Sequence, residues 1–349
     1  MAHDLKLALG IGYWPAQPGG PPQGMQETIL AAERLGFQSV WTAEAYGSDA
    51  LLPLAWWGAA TSTIRLGTGI VQISARTPAA TAMAAMTLDH LSGGRLVLGL
   101  GVSGPQVVEG WYGQPFAKPL ARTREYIEIL RTIWARQGPV TNDGPHYPLP
   151  YPGGTGLGKP LKSSIHPLRD EIPIYLAAEG PKNIALGGEL CDGWLAMFYS
   201  PHHDGYYREA LTEGLDRPGA RSTPESFDVV AQVPLVVTDD EDAALDAVRP
   251  FYALYFGGMG AKQVNFHANV PIRMGYEREI ERVQELYLAG QKVDAAAALP
   301  RPLLAQLTLI GSAAKIRHDL EAWRESLATT LLIGGDPATL RAAAELVLG

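Results

Sequence analysis

Residues 65–104 hold the densest chemistry-bearing pattern in the chain. Two apolar runs of strand length, 65–72 and 95–102, flank a helix of small residues that Pro78 opens and the pair Gly93-Gly94 closes. Strand, helix and strand make one right-handed βαβ unit. Both runs end among glycines: Gly67-Thr68-Gly69 ahead of Ile70, and Gly99-Leu100-Gly101-Val102-Ser103-Gly104. A segment without Cβ atoms lets a large flat or phosphorylated ligand lie against the backbone. In parallel α/β proteins ligands sit at the carboxyl ends of strands. Glu44 stands at another such end, after the strand-like 39–43, where a carboxylate reads as a site residue.

Several other chemistries are excluded by spacing. Gly99, Gly101 and Gly104 spell G-x-G-x-x-G, but a dinucleotide site needs an acidic residue about twenty positions on, at the end of the next strand. The chain instead enters a long amphipathic helix over 119–134, with Glu125 inside it. There is no H-E-x-x-H and no C-x-x-C, and His202-His203 are adjacent in a polar loop, so no metal constellation is expected. The single cysteine, Cys191, excludes an internal disulfide framework and reads as a packed thiol. A net charge of −8 argues against nucleic acid and anionic membranes as partners. No run approaches the roughly 18 apolar residues of a membrane helix, and MAHDLKLALG is not a signal peptide, so a cytoplasmic location is expected.

The elements that must position these residues alternate along the chain. Strand-like runs fall at 5–12, 39–43, 65–72, 95–102, 172–178, 193–197, 227–237 and 329–333, with helical stretches such as 27–36, 51–61 and 119–134 between them. Eight β-then-α steps over 349 residues predict a single (β/α)8 TIM barrel spanning 1–349. Two stretches break the repeat. Residues 142–172 are rich in Gly and Pro, too long for an ordinary connection, and are expected to be a lid or poorly ordered. Residues 257–301 read as a helical insertion at the carboxyl-end face, where it would shape a substrate pocket.

Seven motifs carry a family resemblance over essentially the full length: Thr42-Ala-Glu-Ala-Tyr-Gly-Ser-Asp49, Leu66-Gly-Thr-Gly-Ile70, Ser74-Ala-Arg-Thr-Pro78, Leu88-Asp-His-Leu-Ser-Gly-Gly-Arg95, Leu98-Gly-Leu-Gly101, Ala177-Ala-Glu-Gly-Pro-Lys-Asn183 and Cys191-Asp-Gly-Trp194. With these the chain resembles the luciferase-like flavin/deazaflavin oxidoreductases, most of all the actinobacterial branch that uses coenzyme F420. The resemblance implies a ring bound across the barrel mouth, backed by a non-prolyl cis peptide at the bond matching Gly69–Ile70. It implies contacts from Gly101, Val102 and Ser103. It also implies a phosphate at the Ala177-Ala178-Glu179-Gly180 turn, where free helix N–H groups suit an anion. Family members commonly follow the acidic residue matching Glu44 with a histidine that helps proton transfer; here that residue is Ala45. Glu44, His267 or Tyr46 then remain as proton carriers, with His90 and His146 weaker candidates. Trp14, Trp56, Trp57 and Trp111 are candidate pocket walls. Arg273, Lys262 and Lys292 do not match the phosphate-binding pattern of sugar-phosphate-oxidising relatives, which disfavours a phosphosugar.

The implied activity is hydride transfer between F420 and a small organic substrate: a carbonyl or alcohol, an imine or an activated alkene. An FMN-dependent monooxygenase is the alternative, and a cofactor-binding protein without turnover a third reading. The helix over 78–91, small and apolar for one facing water, and the family's habit predict a homodimer built on barrel helices.

Overall fold

The computed structural model describes residues 3–12, 23–260 and 265–349. Trp14 and Lys262 lie outside the described residues. Short, nearly uninterrupted apolar runs form the strands, as expected where both faces are covered. They are β1 (Lys6–Gly12), β2 (Ser39–Thr42), β3 (Arg65–Thr68), β4 (Val71–Gln72), β5 (Leu96–Gly101), β6 (Ile174–Ala177), β7 (Gly193–Ala196), β8 (Asp228–Gln232), β9 (Leu235–Val237), β10 (Leu309–Gly311) and β11 (Thr330–Ile333). One sheet runs in the order β3-β2-β1-β11-β8-β7-β6-β5-β4. It closes on itself because β3 also pairs with β5, Leu66 opposite Leu96 and Gly67 opposite Val97. β3 and β4 are two parts of one barrel strand, so eight parallel strands form a TIM barrel.

The barrel is filled, as such barrels are, by Ala8, Trp41, Val97, Tyr175, Leu195 and Val230, with Ile70, Ala177 and Leu332 against them. Two glycines make room. A Cβ on Gly67 would overlap the Trp41 ring, and one on Gly99 would overlap the Thr68 carbonyl oxygen. A larger apolar layer seats the outer helices on the strands, and Trp57 is buried in it rather than walling a pocket.

Strand seven departs from expectation. The run 227–237 is two strands, because Pro234 has no N–H to continue the ladder. Val233 N still donates to Leu332 O, but Pro234 O accepts from Leu309 N, and β9 leaves the barrel to pair with β10. From there the chain builds a second apolar cluster. It joins Leu245, Tyr252 and Phe256 to Ile280, Val283, Leu303 and Ile310, and reaches the barrel through Phe198.

The Gly/Pro-rich stretch is anchored at both ends. The Glu125 carboxylate accepts from Asn142 Nδ2 (2.7 Å), His146 N (3.1 Å) and Tyr147 N (2.6 Å). A Cβ at Gly144 would overlap that carboxylate. At its far end Arg169 grips Asp89 with two hydrogen bonds (3.0 and 2.7 Å) beside the start of β5. The stretch is a strap on the outside of the helix Pro119–Ala135. No described helix is long and apolar enough to cross a membrane, and no metal-holding group of His, Cys, Asp or Glu exists among the described residues. Cys191 is buried, and burial pushes its thiol well above the ordinary value.

Candidate active site

Polar groups gather at the carboxyl ends of the strands in two clusters. The first stands on β2 and β4. Glu44, 8 % exposed, follows β2. Its carboxylate accepts two hydrogen bonds from Arg76 Nη1 (2.8 and 2.9 Å) and one from Gln72 N (3.2 Å). Gln72 Nε2 returns to the Glu44 carbonyl at 2.9 Å. The other arm of Arg76 pairs with Asp49, which also accepts from the amides of Leu51 and Leu52. Burial works against the Arg76 charge, but the Glu44 carboxylate and then Asp49 raise its pKa above the ordinary value. Arg76 and Gln72 are the residues that sequence reading left without a role. Their signal was position, one at the end of the strand and the other two residues before Pro78.

Next to this cluster the Gly69–Ile70 peptide is cis. The Ile70 side chain occupies the space a Cβ on Gly101 would need. Gly101 therefore admits Ile70 rather than a ligand. Ser103 beyond it has φ 57°, in the left-handed region.

The second cluster stands on the turn after β6. Gly180 precedes the helix Pro181–Leu190, whose N-terminus has no side-chain cap. Glu179 Oε1 lies 2.6 Å from His267 Nδ1. Arg273 Nη2 donates to the Glu179 carbonyl at 2.8 Å and its guanidinium lies over Tyr206. Trp194 Nε1 ties down the Ala178 carbonyl at 2.8 Å. His267 arrives from the insertion, and its backbone is held by Asn265. The Asn265 amide donates to the carbonyls of Tyr255 and Phe256 (3.0 Å each), and its oxygen accepts from Ala268 N. Tyr255 and Phe256 belong to a π-helical turn, Leu254–Gly258; such turns cluster at functional sites. The imidazole meets Phe198 and Tyr255 edge-on, with centroids 5.8 and 5.0 Å away.

Three buried side-chain acceptors at these strand ends have no partner among the described residues: Gln72 Oε1, Glu179 Oε2 and Asn183 Oδ1. Natural interiors rarely leave such atoms unpaired. Other candidates stand elsewhere. Tyr46, Trp56 and Trp111 are exposed. His90 binds the His166 carbonyl, and His146 lines an outer groove of about 540 Å³ with Arg124, Lys182 and Arg217. Lys292 lies over Tyr287. No hydrogen bond among the described residues joins Glu44 to His267.

A closed parallel barrel with polar groups collected at its strand ends defines the class of α/β-barrel enzymes. The family model described as luciferase-like monooxygenase matches residues 7–330, and the chain belongs to that family. It is 54 % identical over 350 residues to a Mycobacterium tuberculosis protein named provisionally as a coenzyme F420-dependent oxidoreductase, covering 99 % of this chain and all of that one. Among solved structures, the F420-dependent tetrahydromethanopterin reductase of Methanopyrus kandleri superposes with a TM-score of 0.80 at 21 % identity, covering 99 % of each chain. An F420-dependent secondary alcohol dehydrogenase in complex with an F420-acetone adduct gives 0.77 at 18 % identity, again over 99 % of each.

Proposed function

We propose that this protein is an oxidoreductase that moves a hydride between coenzyme F420 and a small organic substrate, an alcohol or carbonyl, an imine or an activated alkene. The observation that carries the reading is the trio of unpartnered buried acceptors on β4 and after β6. They suit a ligand rich in hydroxyl and ring N–H donors. The uncapped N-terminus of Pro181–Leu190 suits that ligand's phosphate. The residues therefore fit F420, and the 54 % identical relative bears its name.

Bound there, F420 supplies two-electron hydride chemistry without ready activation of oxygen. Gly69, Ile70, Val102 and Ser103 would hold the ring, with Gly101 making room for the Ile70 side chain. Ala177, Ala178, Glu179 and Gly180 shape the phosphate end. Glu44, gripped by Arg76, would stand beside the ring as a fixed polar group. His267 carries the proton that accompanies the hydride. The substrate lies between that ring and the aromatic wall of the insertion, out of water.

Two further readings complete the proposal. Leu52 and Trp56 on one barrel helix, and Met83 and Leu91 on its neighbour, are exposed and apolar, and we assign them to a homodimer interface; light scattering that gives a monomer at micromolar concentration overturns this. We also assign the chain to the cytoplasm, a setting that its single, disulfide-free cysteine suits. For the cofactor, the purified chain is titrated with F420 and with FMN by fluorescence, then offered a panel of short secondary alcohols, imines and enones. Tight F420 binding with turnover is expected. Tight FMN binding with oxygen consumption would overturn the assignment.

A further inference from the structure

We infer that Glu179 is a positioning residue that makes His267 the base of this reaction, through a carboxylate–imidazole pair. The inference rests on the oxidoreductase reading above. A carboxylate oxygen only accepts, so the ring nitrogen 2.6 Å from Glu179 Oε1 carries the proton. That fixes the Nδ1–H tautomer and leaves the Nε2 lone pair as the reactive position. Nε2 has no partner among the described residues, and the side chain is 26 % exposed, enough for a substrate to reach it. The ring cannot swing freely, since Phe198 and Tyr255 meet it edge-on at 79°. Asn265 fixes the backbone two residues before it. Glu179 is held in turn, its carbonyl by Arg273, whose guanidinium is placed by Tyr206.

Among the described residues, the charged and titratable groups facing the pair are Arg273, Tyr206, Tyr207 and Tyr255. None of them is a carboxylate able to compete for the imidazole proton, and Glu44 is committed to Arg76. With a secondary alcohol, the O–H proton would pass to His267 Nε2 while the carbon gives up its hydrogen and two electrons as hydride to an oxidised deazaflavin, which is reduced. The substrate C–H and O–H bonds break, the C=O and N–H bonds and a C–H bond on the deazaflavin form, and the Glu179 carboxylate balances the charge of the new imidazolium. In the reverse direction the imidazolium returns the proton to the product oxygen.

The first test uses the free full-length chain. Nitrogen-15 spectra of labelled histidine, with the His267 signals assigned by their loss in His267→Gln, are expected to show the Nδ1–H tautomer. In Glu179→Ala they should revert to the Nε2–H form that neutral imidazole prefers in water. A wild-type Nε2–H tautomer overturns the inference whatever the substrate turns out to be. The second test measures F420 binding by fluorescence, and kcat and KM with a short secondary alcohol. Glu179→Ala should lower kcat at saturating F420 by about 10²–10⁴-fold, the usual worth of general-base catalysis, over and above whatever F420 affinity the lost carboxylate costs. Glu179→Gln, which keeps an acceptor without the charge, should fall between. His267→Ala should be partly rescued by added imidazole. Lost F420 affinity with kcat retained assigns Glu179 to the cofactor alone and overturns the pair. A wild-type chain that shows the Nδ1–H tautomer but turns over no alcohol, imine or enone overturns the oxidoreductase reading and leaves the pair intact.

Discussion

The two sides of the barrel mouth are built on opposite plans. On the β2–β4 side, Glu44, Asp49, Gln72 and Arg76 lie within 33 residues of one another in sequence and nearly complete their hydrogen bonds among themselves. One acceptor, Gln72 Oε1, is left over. On the β6–insertion side, Glu179 and His267 meet across 88 residues. They leave a carboxylate oxygen, a ring nitrogen and the Asn183 oxygen open. The first side is nearly complete before any ligand arrives, so most of its energy goes into stability. The second keeps its polar atoms for something else. Reaction chemistry belongs where satisfaction is incomplete.

Stability measurements can break this contrast. Arg76→Leu strands two acidic side chains, one of them buried, and breaking a buried ion pair costs about 3–5 kcal/mol. A large drop in urea midpoint is expected; a change below about 1 kcal/mol would mean the cluster is not structural. Gly101→Ala drives a methyl into Ile70 and should cost about 1–3 kcal/mol, read as a lower melting temperature.

Glu33 provides a control away from both sides. Burial pushes its pKa up, but the amides of Ile64, Thr63 and Ser62 prevail and bring it down from 4.5 to about 2. A carboxylate with a depressed folded pKa stabilises fully above its unfolded value, and the contribution fades as pH falls through the folded one. Glu33→Gln should therefore cost roughly 1 kcal/mol at pH 7, given its exposure. That gap should close between about pH 4.5 and 2. A gap unchanged at pH 2 would place the effect in packing. The smallest stability effect is expected on the open side. His267→Gln should move the unfolding free energy by no more than about 0.5 kcal/mol while turnover falls by about 10²–10⁴-fold. A loss of several kcal/mol there would erase the distinction.

The barrel was legible because its strands are apolar runs at a regular βα spacing, which the closed sheet then had to satisfy. The mouth was legible as far as glycines and Glu44 at strand ends reveal it. Pairings across distance were not. Nothing local in Ala177-Ala178-Glu179-Gly180 announces a partner 88 residues on, so the turn read as a phosphate site only. Arg76 lies inside the motif Ser74-Ala-Arg-Thr-Pro78, but its two carboxylates come from the preceding strand end, and only the folded register brings them within reach. The β9–β10 pair escaped notice because three residues, Leu309–Gly311, are too few to show a period. Glu125 looked like one more charge on an amphipathic helix, whereas it pins the strap.

The second apolar cluster meets the barrel at Phe198, which holds φ 58° just past β7 and packs against Phe251, Tyr252, Tyr255 and Phe256. Phe198 is thus one fastening, beside the His267 and Arg273 contacts to Glu179, of a separately cored unit that also delivers His267. Such a unit is exchangeable. Grafting the segment between β9 and β10 from another family member, with Phe198 retained, should yield a folded barrel that keeps its coenzyme and changes its substrate. A separately cored insertion is a cassette that could be exchanged without touching the cylinder beneath it.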